Sequence, residues 1–591
     1  MTNHAYRIPL LLIGVAILLA GCGEEAPDAD FTFVSADSHN TLDPQRMSWS
    51  RDIRMAEQLY APLVEFDFEK SKPVPATAKD WSLSDDRRTY TFHIREDAKW
   101  SNGDPVTANH YLYAWRRALL PSFSANYISL LYRIEGAKQF NQWRVDQLEK
   151  FAEISDKANG GGASGQTAAQ ETWRQAKRKF KQMVGLSAPD KHTLKVTLKR
   201  PVPYFLQLVA FPTFSPVHAP SVKEATTLQA DTGRFDMDTT YWSDPDRLVT
   251  NGPYHIAKAK PGRYLYLEAN EHYYGRDTMN NSSVLERMIS DPNSQMVTYE
   301  DGRADWLPDL PAQNDAVIKK VQSGRDDVHK FPMAGTYFYN FNCNPDKKLP
   351  SGEPNPLAKT KVRRALSMAI DRKRLVNRIT QLGQPVARTF VPPDAIPDYQ
   401  PPVDAGVRFD PERARQLLAE AGYPEGEGLS GLSLLYNTDG GHQSVAAEVQ
   451  RMWRSHLNVE VNTEGIPSTR FAERLDNGKF WIARAGWIGD YPDPTTWLTT
   501  RSSDSQNNDA NWSNQRYDQL LEKAATQQGQ TRMQTLRKAE RVLVEEQPMA
   551  LLYFYVNVDM FDPKRVRGIE PTPWPRWQIE RFEVNSAGGG Y

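Results

Sequence analysis

Only two cysteines, Cys22 and Cys343, occur in a chain of 591 residues. No disulfide framework can be built from them, so the fold must be held by packed cores. The material for such cores is present: 39 % of the residues are hydrophobic and 25 % charged, an ordinary globular balance. Lys and Arg total 72 against 73 Asp and Glu, a formal net charge of −1. That balance excludes a disordered acidic tail and offers no overall basic field for nucleic acid. At ~150 residues per domain the length predicts three or four domains. The 41 prolines and 15 tryptophans point to many turns and some aromatic-lined surface.

Residues 1–21 read as an export leader. Arg7 heads an apolar run from Ile8 to Leu19, followed by Ala20, Gly21 and Cys22. A run of this length spans about 18 Å as a helix, short of a ~30 Å hydrocarbon core. The small residues before Cys22 resemble the lipobox of bacterial lipoproteins, whose cysteine is acylated and becomes the first mature residue. The alternative is an ordinary leader with an incidental cysteine. With Cys22 lipidated, Cys343 is alone, and several acyl chains on one residue give stable membrane anchoring. Residues 22–30 are small, polar and acidic, and fit a tether. The expected location is the periplasm or cell surface.

Short strands and helices mix from Phe31 onward. Thr89 to Arg95 alternates, with Tyr90, Phe92 and Ile94 on one face, a half-buried strand. Residues near 137–183 predict a charged helical insertion whose tip is the glycine tract 160–165. Arg363 to Ile379 has the spacing of one amphipathic helix, with Leu366, Ala369, Ile370 and Lys373 at helical intervals. Asp410-Pro411 opens another helix as cap and first residue, and Gly422 closes it. Leu432 to Tyr436 predicts a strand, and Ser444 to Leu457 a helix. This alternation implies α/β lobes.

Motifs for chemistry are weak. Gly426-Glu427-Gly428-Leu429-Ser430-Gly431 matches G-x-G-x-x-G but follows a helix and leads into a strand, the reverse of a dinucleotide loop. The eleven histidines show no metal-ligand spacing, and no metal or cofactor is expected. Asp490 and Asp493 have the residue types of an acid/base pair. With Pro492 and Pro494 around them, they are better explained as turn or ligand-binding groups.

The segment Ala483-Arg484-Ala485-Gly486-Trp487-Ile488-Gly489-Asp490-Tyr491-Pro492-Asp493-Pro494 resembles a signature of bacterial oligopeptide-binding proteins. These are the extracytoplasmic receptors of peptide ABC importers, in solute-binding protein family 5. Further matches are Thr41-Leu42-Asp43-Pro44, Asp97-Ala98-Lys99-Trp100-Ser101, Pro201-Val202-Pro203-Tyr204-Phe205 and Thr250-Asn251-Gly252-Pro253-Tyr254. Lys361-Val362-Arg363-Arg364-Ala365-Leu366 and Tyr553-Phe554-Tyr555-Val556-Asn557 complete the series. The resemblance implies an α/β, two-lobed periplasmic binding protein fold with an extra third domain and a ligand cleft between the lobes. The first lobe would take 31–55, 190–333 and 553–591, the extra domain 56–189, and the second lobe 334–552. Hinge closure around ligand is the expected motion. The implied partners are an oligopeptide and the permease subunits of an ABC transporter, with the receptor a monomer and not an enzyme.

A receptor for many peptides must bind the shared backbone. An extended ligand added as a strand satisfies its N–H and C=O groups whatever its sequence. Gly486, Trp487 and Ile488 suit such an edge, because glycine permits close approach, and side chains then enter wet pockets where water adapts. By resemblance, Asp490 holds the ligand α-ammonium group, the one constant charge; a turn-capping aspartate is the alternative. Arg484 and His442 match positions implicated in binding ligand carboxylates. Arg484 could instead form a structural salt bridge, and His442, in a loop after Asn437-Thr438-Asp439-Gly440-Gly441, is expected to be accessible. Trp487 is a candidate pocket wall or core residue; Tyr555 and Tyr127 are candidates for the cleft lining. Departures from the family pattern are Ile488 and Gly335 where well-known members carry a disulfide, Ser48 for a glutamate, Ser468 for an aromatic residue, and Leu475 for an arginine, with Arg474 adjacent. Another cargo on the same fold (a cell-wall or signalling peptide, another amine-bearing solute) and an exported hydrolase using Asp490 with His442 or Asp493 are the competing readings.

Overall fold

The computed structural model describes residues 25–585 except 37, 68–71, 158–162, 312–313, 439, 571 and 575–576. Cys22, the leader and the first residues of the tether lie outside the described residues, as do residues 160–162 of the glycine tract at the insertion tip. Among the described residues no helix is long and apolar enough to cross a membrane. Cys343 is a free, buried thiol, and burial pushes it up to about 11.

A ten-stranded mixed sheet runs through the molecule. At one end Tyr254–Lys260, Tyr264–Ala269 and Ser283–Met288 form an antiparallel meander, with Phe31–Ser35 added parallel to the last. Trp306–Leu307 links Phe31–Ser35 to the long strand Met549–Phe561. Met549–Phe561 pairs antiparallel with the other long strand, Val328–Phe341. Beyond that pair lie Ile482–Ile488, Ser433–Asn437 and Asn462–Ile466. The two long strands therefore belong to both halves of the sheet. Their ladder is interrupted between Pro332 and Thr336, opposite Phe554 to Val556. Proline donates no ladder hydrogen bond, so a bulge here is expected.

Each half has its own core. Phe31, Trp306 and Trp577 belong to a cluster that also takes in Trp100, Trp115 and Phe140. Tyr337, Phe338, Trp453 and Trp497 anchor the other. Ala78–Leu83, Thr89–Ile94, Thr193–Thr197 and Leu186–Ser187 form a separate antiparallel sheet over the first core. Within it Tyr90, Phe92 and Ile94 are buried, as the alternation requires. Between its strands the chain inserts the helices Ala137–Lys157 and Ala163–Met183, which dock through Phe140 and Phe180, edge to face at 5.2 Å.

The helix Pro411–Glu420 begins where predicted, with the Asp410 carboxylate accepting from the Arg413 N–H. Gly422 closes it at φ +91°, a backbone that favours glycine. The 426–431 glycine tract is a loop leading into Ser433–Asn437. The single helix expected over 363–379 is divided. Thr360–Met368 ends, and a second helical stretch starts at Arg372. Two side chains cause the break: Asp371 accepts from the Arg374 N–H as a new cap, and the buried Arg372 guanidinium donates to the Ser367 and Ile370 carbonyls. The apolar period continues across the break, so periodicity alone could not show it.

Candidate functional site

The site is built on Ile482–Ile488, which lies antiparallel to Val328–Phe341 in a fixed register: Gly335 opposes Ile488, Tyr337 opposes Gly486, and Tyr339 opposes Arg484. Strand alternation puts Arg484, Gly486 and Ile488 on one face. On the neighbouring long strand Tyr553 opposes Tyr337, their rings stacked at 4.7 Å.

Tyr555 lies across this face. A Cβ on Gly486 would overlap the Tyr555 hydroxyl, and one on Gly335 would come within 2.9 Å of its ring. Both positions are therefore glycine because of close approach. Gly335 and Ile488, where relatives carry a disulfide, are cross-strand partners, and the Tyr555 ring packs against Gly335. Gly486→Ala is expected to displace the tyrosine and weaken peptide affinity about tenfold, a ~1.4 kcal/mol loss readable by calorimetry.

Arg484 is held under Tyr555. Its Nη2 donates to the Tyr555 hydroxyl at 3.1 Å, its Nη1 reaches Asn437 Oδ1 at 3.5 Å, and the guanidinium sits 5.1 Å from the Tyr337 ring centre. Its Nε is buried without a partner. Among the described residues no carboxylate forms a salt bridge with it, so the structural ion pair weighed for Arg484 is not found. His442 is not a loop residue: it is the first residue of the helix His442–Leu457 and is only 7 % exposed. Helix formation starts two residues earlier than predicted and turns the ring inward, where Nδ1 lies 3.2 Å from the Tyr337 hydroxyl. Tyr337 thus joins Arg484 and His442 into one group; beyond the alternation Tyr337-Phe338-Tyr339, nothing local singles it out.

Asp490 lies just beyond the same strand. Its N–H donates to Thr496 Oγ1 at 2.9 Å, and its Oδ2 accepts from that hydroxyl at 3.4 Å. The Tyr127 hydroxyl also donates to it, from a distant part of the chain. Burial pushes the Asp490 carboxyl up to about 6, partly offset by these two hydrogen bonds. No ion pair engages Asp490 among the described residues. Ser48 accepts from Asn126, the neighbour of Tyr127, at 3.2 Å. Ile488, 43 % exposed, lies between the two ends. Trp487 is half-buried against the second core, with its Nε1 unpartnered.

Asp493 has a different role. It is buried and grips Arg532 through two hydrogen bonds of 2.6 and 2.8 Å, while also accepting from Thr495. Both oxygens are thereby occupied, so the carboxylate pair considered for hydrolysis is not assembled. Arg474 does not replace the missing arginine at Leu475: it is bound to Glu464 and to the Lys479 carbonyl. No metal-binding group of His, Cys, Asp or Glu occurs among the described residues.

The sequence profile described as bacterial extracellular solute-binding proteins, family 5, matches residues 72–509. The chain belongs to this family. It is 30 % identical over 510 residues to the oligopeptide-binding protein OppA of Bacillus subtilis, covering 84 % of this chain and 82 % of the relative. It is 29 % identical over 536 residues to the periplasmic murein peptide-binding protein MppA of Escherichia coli, covering 89 % and 88 %. The solved structure of the Escherichia coli murein tripeptide binding protein superposes with a TM-score of 0.71 at 27 % identity, covering 95 % of this chain and 99 % of that one. Haemophilus influenzae OppA in complex with RPPGFSPFR gives 0.68 at 25 %, covering 94 % and 98 %. The fold is the multi-domain α/β solute-binding fold of these proteins.

Proposed function

We propose that this family member is a lipid-anchored receptor that captures oligopeptides in extended form and delivers them to an ABC permease. The observation that carries the reading is a strand with Arg484 in it and Asp490 two residues beyond its end, neither in an ion pair among the described residues. Asp490 and Arg484 are six positions apart, roughly 20 Å along extended chain, the reach of a short zwitterionic peptide. Gly486 and Ile488 expose the backbone edge between them, where an added strand satisfies ligand N–H and C=O groups without reading side chains. Asp490 receives the α-ammonium, and Arg484 with His442 receives a carboxylate. The relatives named for oligopeptide and murein peptide binding support the same cargo class.

The lobes would take 31–55, 190–333 and 553–591 on one side and 334–552 on the other, with Tyr553, Phe554 and Trp574 packing into the second core; the ladder break at Pro332–Thr336, opposite Phe554 to Val556, falls beside both crossings. Closure would bend the sheet where it is already irregular. The extra domain, 56–189, brings Tyr127 to Asp490. Anchoring through Cys22 rests on the lipobox.

Native mass spectrometry of protein purified without denaturation tests the function. Mixed peptides released from the protein are the expected result; a single defined small molecule would mean another cargo, the reading that the substitutions at Ser48, Ser468 and Leu475 keep open, and cleaved products would mean a hydrolase. Affinity is also expected to depend on pH. The ligand amine, with an ordinary value near ~8, is charged throughout the acidic range. Asp490 loses its charge as pH falls through about 6. Peptide affinity should therefore hold near neutrality and fall about tenfold per pH unit below that point, measured by calorimetry.

A further inference from the structure

The paired helices Ala137–Lys157 and Ala163–Met183 carry charge that the cleft does not use. The second holds five cations, Arg174, Lys177, Arg178, Lys179 and Lys181, against one carboxylate, Glu171, in a chain whose net charge is −1. Helical spacing sorts its side chains. Ala169, Trp173, Ala176 and Phe180 recur at intervals of three and four, and all but the half-buried Trp173 are buried. Arg174, Lys177, Arg178 and Lys181 repeat the same spacing on a different face, and all four are exposed. From Arg174 to Lys181 the stripe runs about 10 Å along the helix.

Like charges at these intervals repel and cost helix stability. Glu171 relieves two of them, meeting Arg174 at 3.0 Å and Arg178 at 2.9 Å. Among the described residues no other carboxylate pairs with the stripe. The first helix covers another flank, where its Gln147 bonds to Gln175 and to the Thr172 carbonyl, and leaves the stripe open.

Positive charge continues past the end of the stripe. Gly136, at the start of the first helix, lies so close to Met183 that a Cβ there would overlap the Met183 carbonyl. This contact sets the exposed Lys138 at the same end of the helix pair as Lys181. Lys199 belongs to that end too: its N–H donates to the Arg133 carbonyl at 3.0 Å. Burial, together with Arg133, Arg200 and Lys138, holds the Lys199 ammonium below its ordinary value, with Asp504 opposing. The neighbouring Glu135 is engaged by Arg88 at 3.3 Å.

A straight, open row of cations has no pocket for a small ligand and suits a plane of repeated anionic groups. A bilayer of anionic headgroups is such a plane. A tether over residues 22–30, anchored at a lipidated Cys22, spans at most about 30 Å and would keep the folded chain within reach of one. Attraction then grows with each cation that comes within a Debye length of the headgroups.

We propose that the stripe Arg174, Lys177, Arg178 and Lys181 docks on anionic phospholipid headgroups and so orients the receptor on its membrane. The choice of a membrane as occupant rests on the anchored reading above.

Co-sedimentation of the full chain carrying Cys22→Ser, which cannot be acylated there, tests the stripe without the anchor. Binding to phosphatidylcholine vesicles containing phosphatidylglycerol is expected, falling with added salt, and none to phosphatidylcholine alone. The double variant Lys177→Ala/Lys181→Ala should bind about twentyfold more weakly, whereas Lys177→Arg/Lys181→Arg should bind as before. Both positions are exposed, and an unchanged urea midpoint would show that the variants fold. Equal binding to the two kinds of vesicle, or no loss in the alanine variant, overturns the proposal. Retention by immobilised polyglutamate without vesicle binding would assign the stripe to an acidic protein and overturns it equally. The intact mass of the unaltered chain extracted from membranes decides anchoring separately: an unacylated Cys22 removes that reading, while vesicle binding leaves the docking surface standing.

Discussion

Asp490→Ala is expected to weaken peptide binding by on the order of 2–5 kcal/mol, the range for removing one partner of an enclosed, hydrogen-bonded charge pair. Calorimetry with a peptide taken from the native mass spectrum is the measurement. The size of the effect follows from enclosure. The Asp490 carboxyl is sheltered enough that burial raises it to about 6, and two hydroxyls, from Tyr127 and Thr496, accompany it. An ammonium group arriving there gains the partner that the protein withholds, and its attraction is strengthened by the low local dielectric. With alanine in place, the ligand amine would be buried against two hydroxyls and no charge. N-acetylated peptides should show the same deficit on the unaltered protein, because they lack the cation. Equal affinity for capped and free peptides would falsify the role of Asp490.

Arg532→Ala is expected to destabilise the fold by about 3–5 kcal/mol, because it leaves Asp493 buried without its countercharge. The pair is 3 % and 4 % exposed, so solvent offers little relief. Its surroundings deepen the effect: the guanidinium also lies over the Tyr204 ring, which stacks on Tyr491 at 5.2 Å and 4°. That stack joins the amino-terminal half of the chain to the segment carrying Asp490. Urea unfolding should show the loss as a lowered midpoint. Replacing both members of the pair with apolar residues of similar volume should recover much of it, since the main cost lies in the unpaired charge. A single variant as stable as the unaltered protein would show that the pair is dispensable.

The two variants fail in different ways, although both touch Asp490 to Asp493. Asp490 is held by hydroxyls and has no countercharge among the described residues; Asp493 is paired with Arg532. Their residue types allowed an acid/base pair and their proline neighbours favoured turn or ligand-binding groups; the tertiary partners make Asp490 a ligand candidate and Asp493 a brace. Arg484 and Arg532 show the same contrast among the cations. Arg532 is paired with a carboxylate, while Arg484 is surrounded by tyrosines.

Several elements were readable without coordinates. Tyr90, Phe92 and Ile94 announce their strand because a two-residue period has one structural meaning when one face is buried. Asp410-Pro411 and Gly422 bound their helix because capping is local chemistry. The series from Thr41 to Asn557 identifies the family because those short motifs keep their order along the chain. Other features could not be read in this way. The break after Met368 depends on Arg372 folding back onto carbonyls, and the burial of His442 depends on a helix starting earlier than its apolar pattern.

The sequence by itself determined the lobed α/β class, the family, and the segment that carries Arg484, Gly486 and Asp490, since each is encoded by neighbours in the chain. Only the tertiary structure decided which charges are paired among the described residues. Whether a buried carboxylate or guanidinium is satisfied depends on side chains brought from distant segments: Tyr127 to Asp490, Arg532 to Asp493, Tyr555 to Arg484. The strength of an electrostatic contact depends on burial as well as on partner, and neither is written in the local sequence.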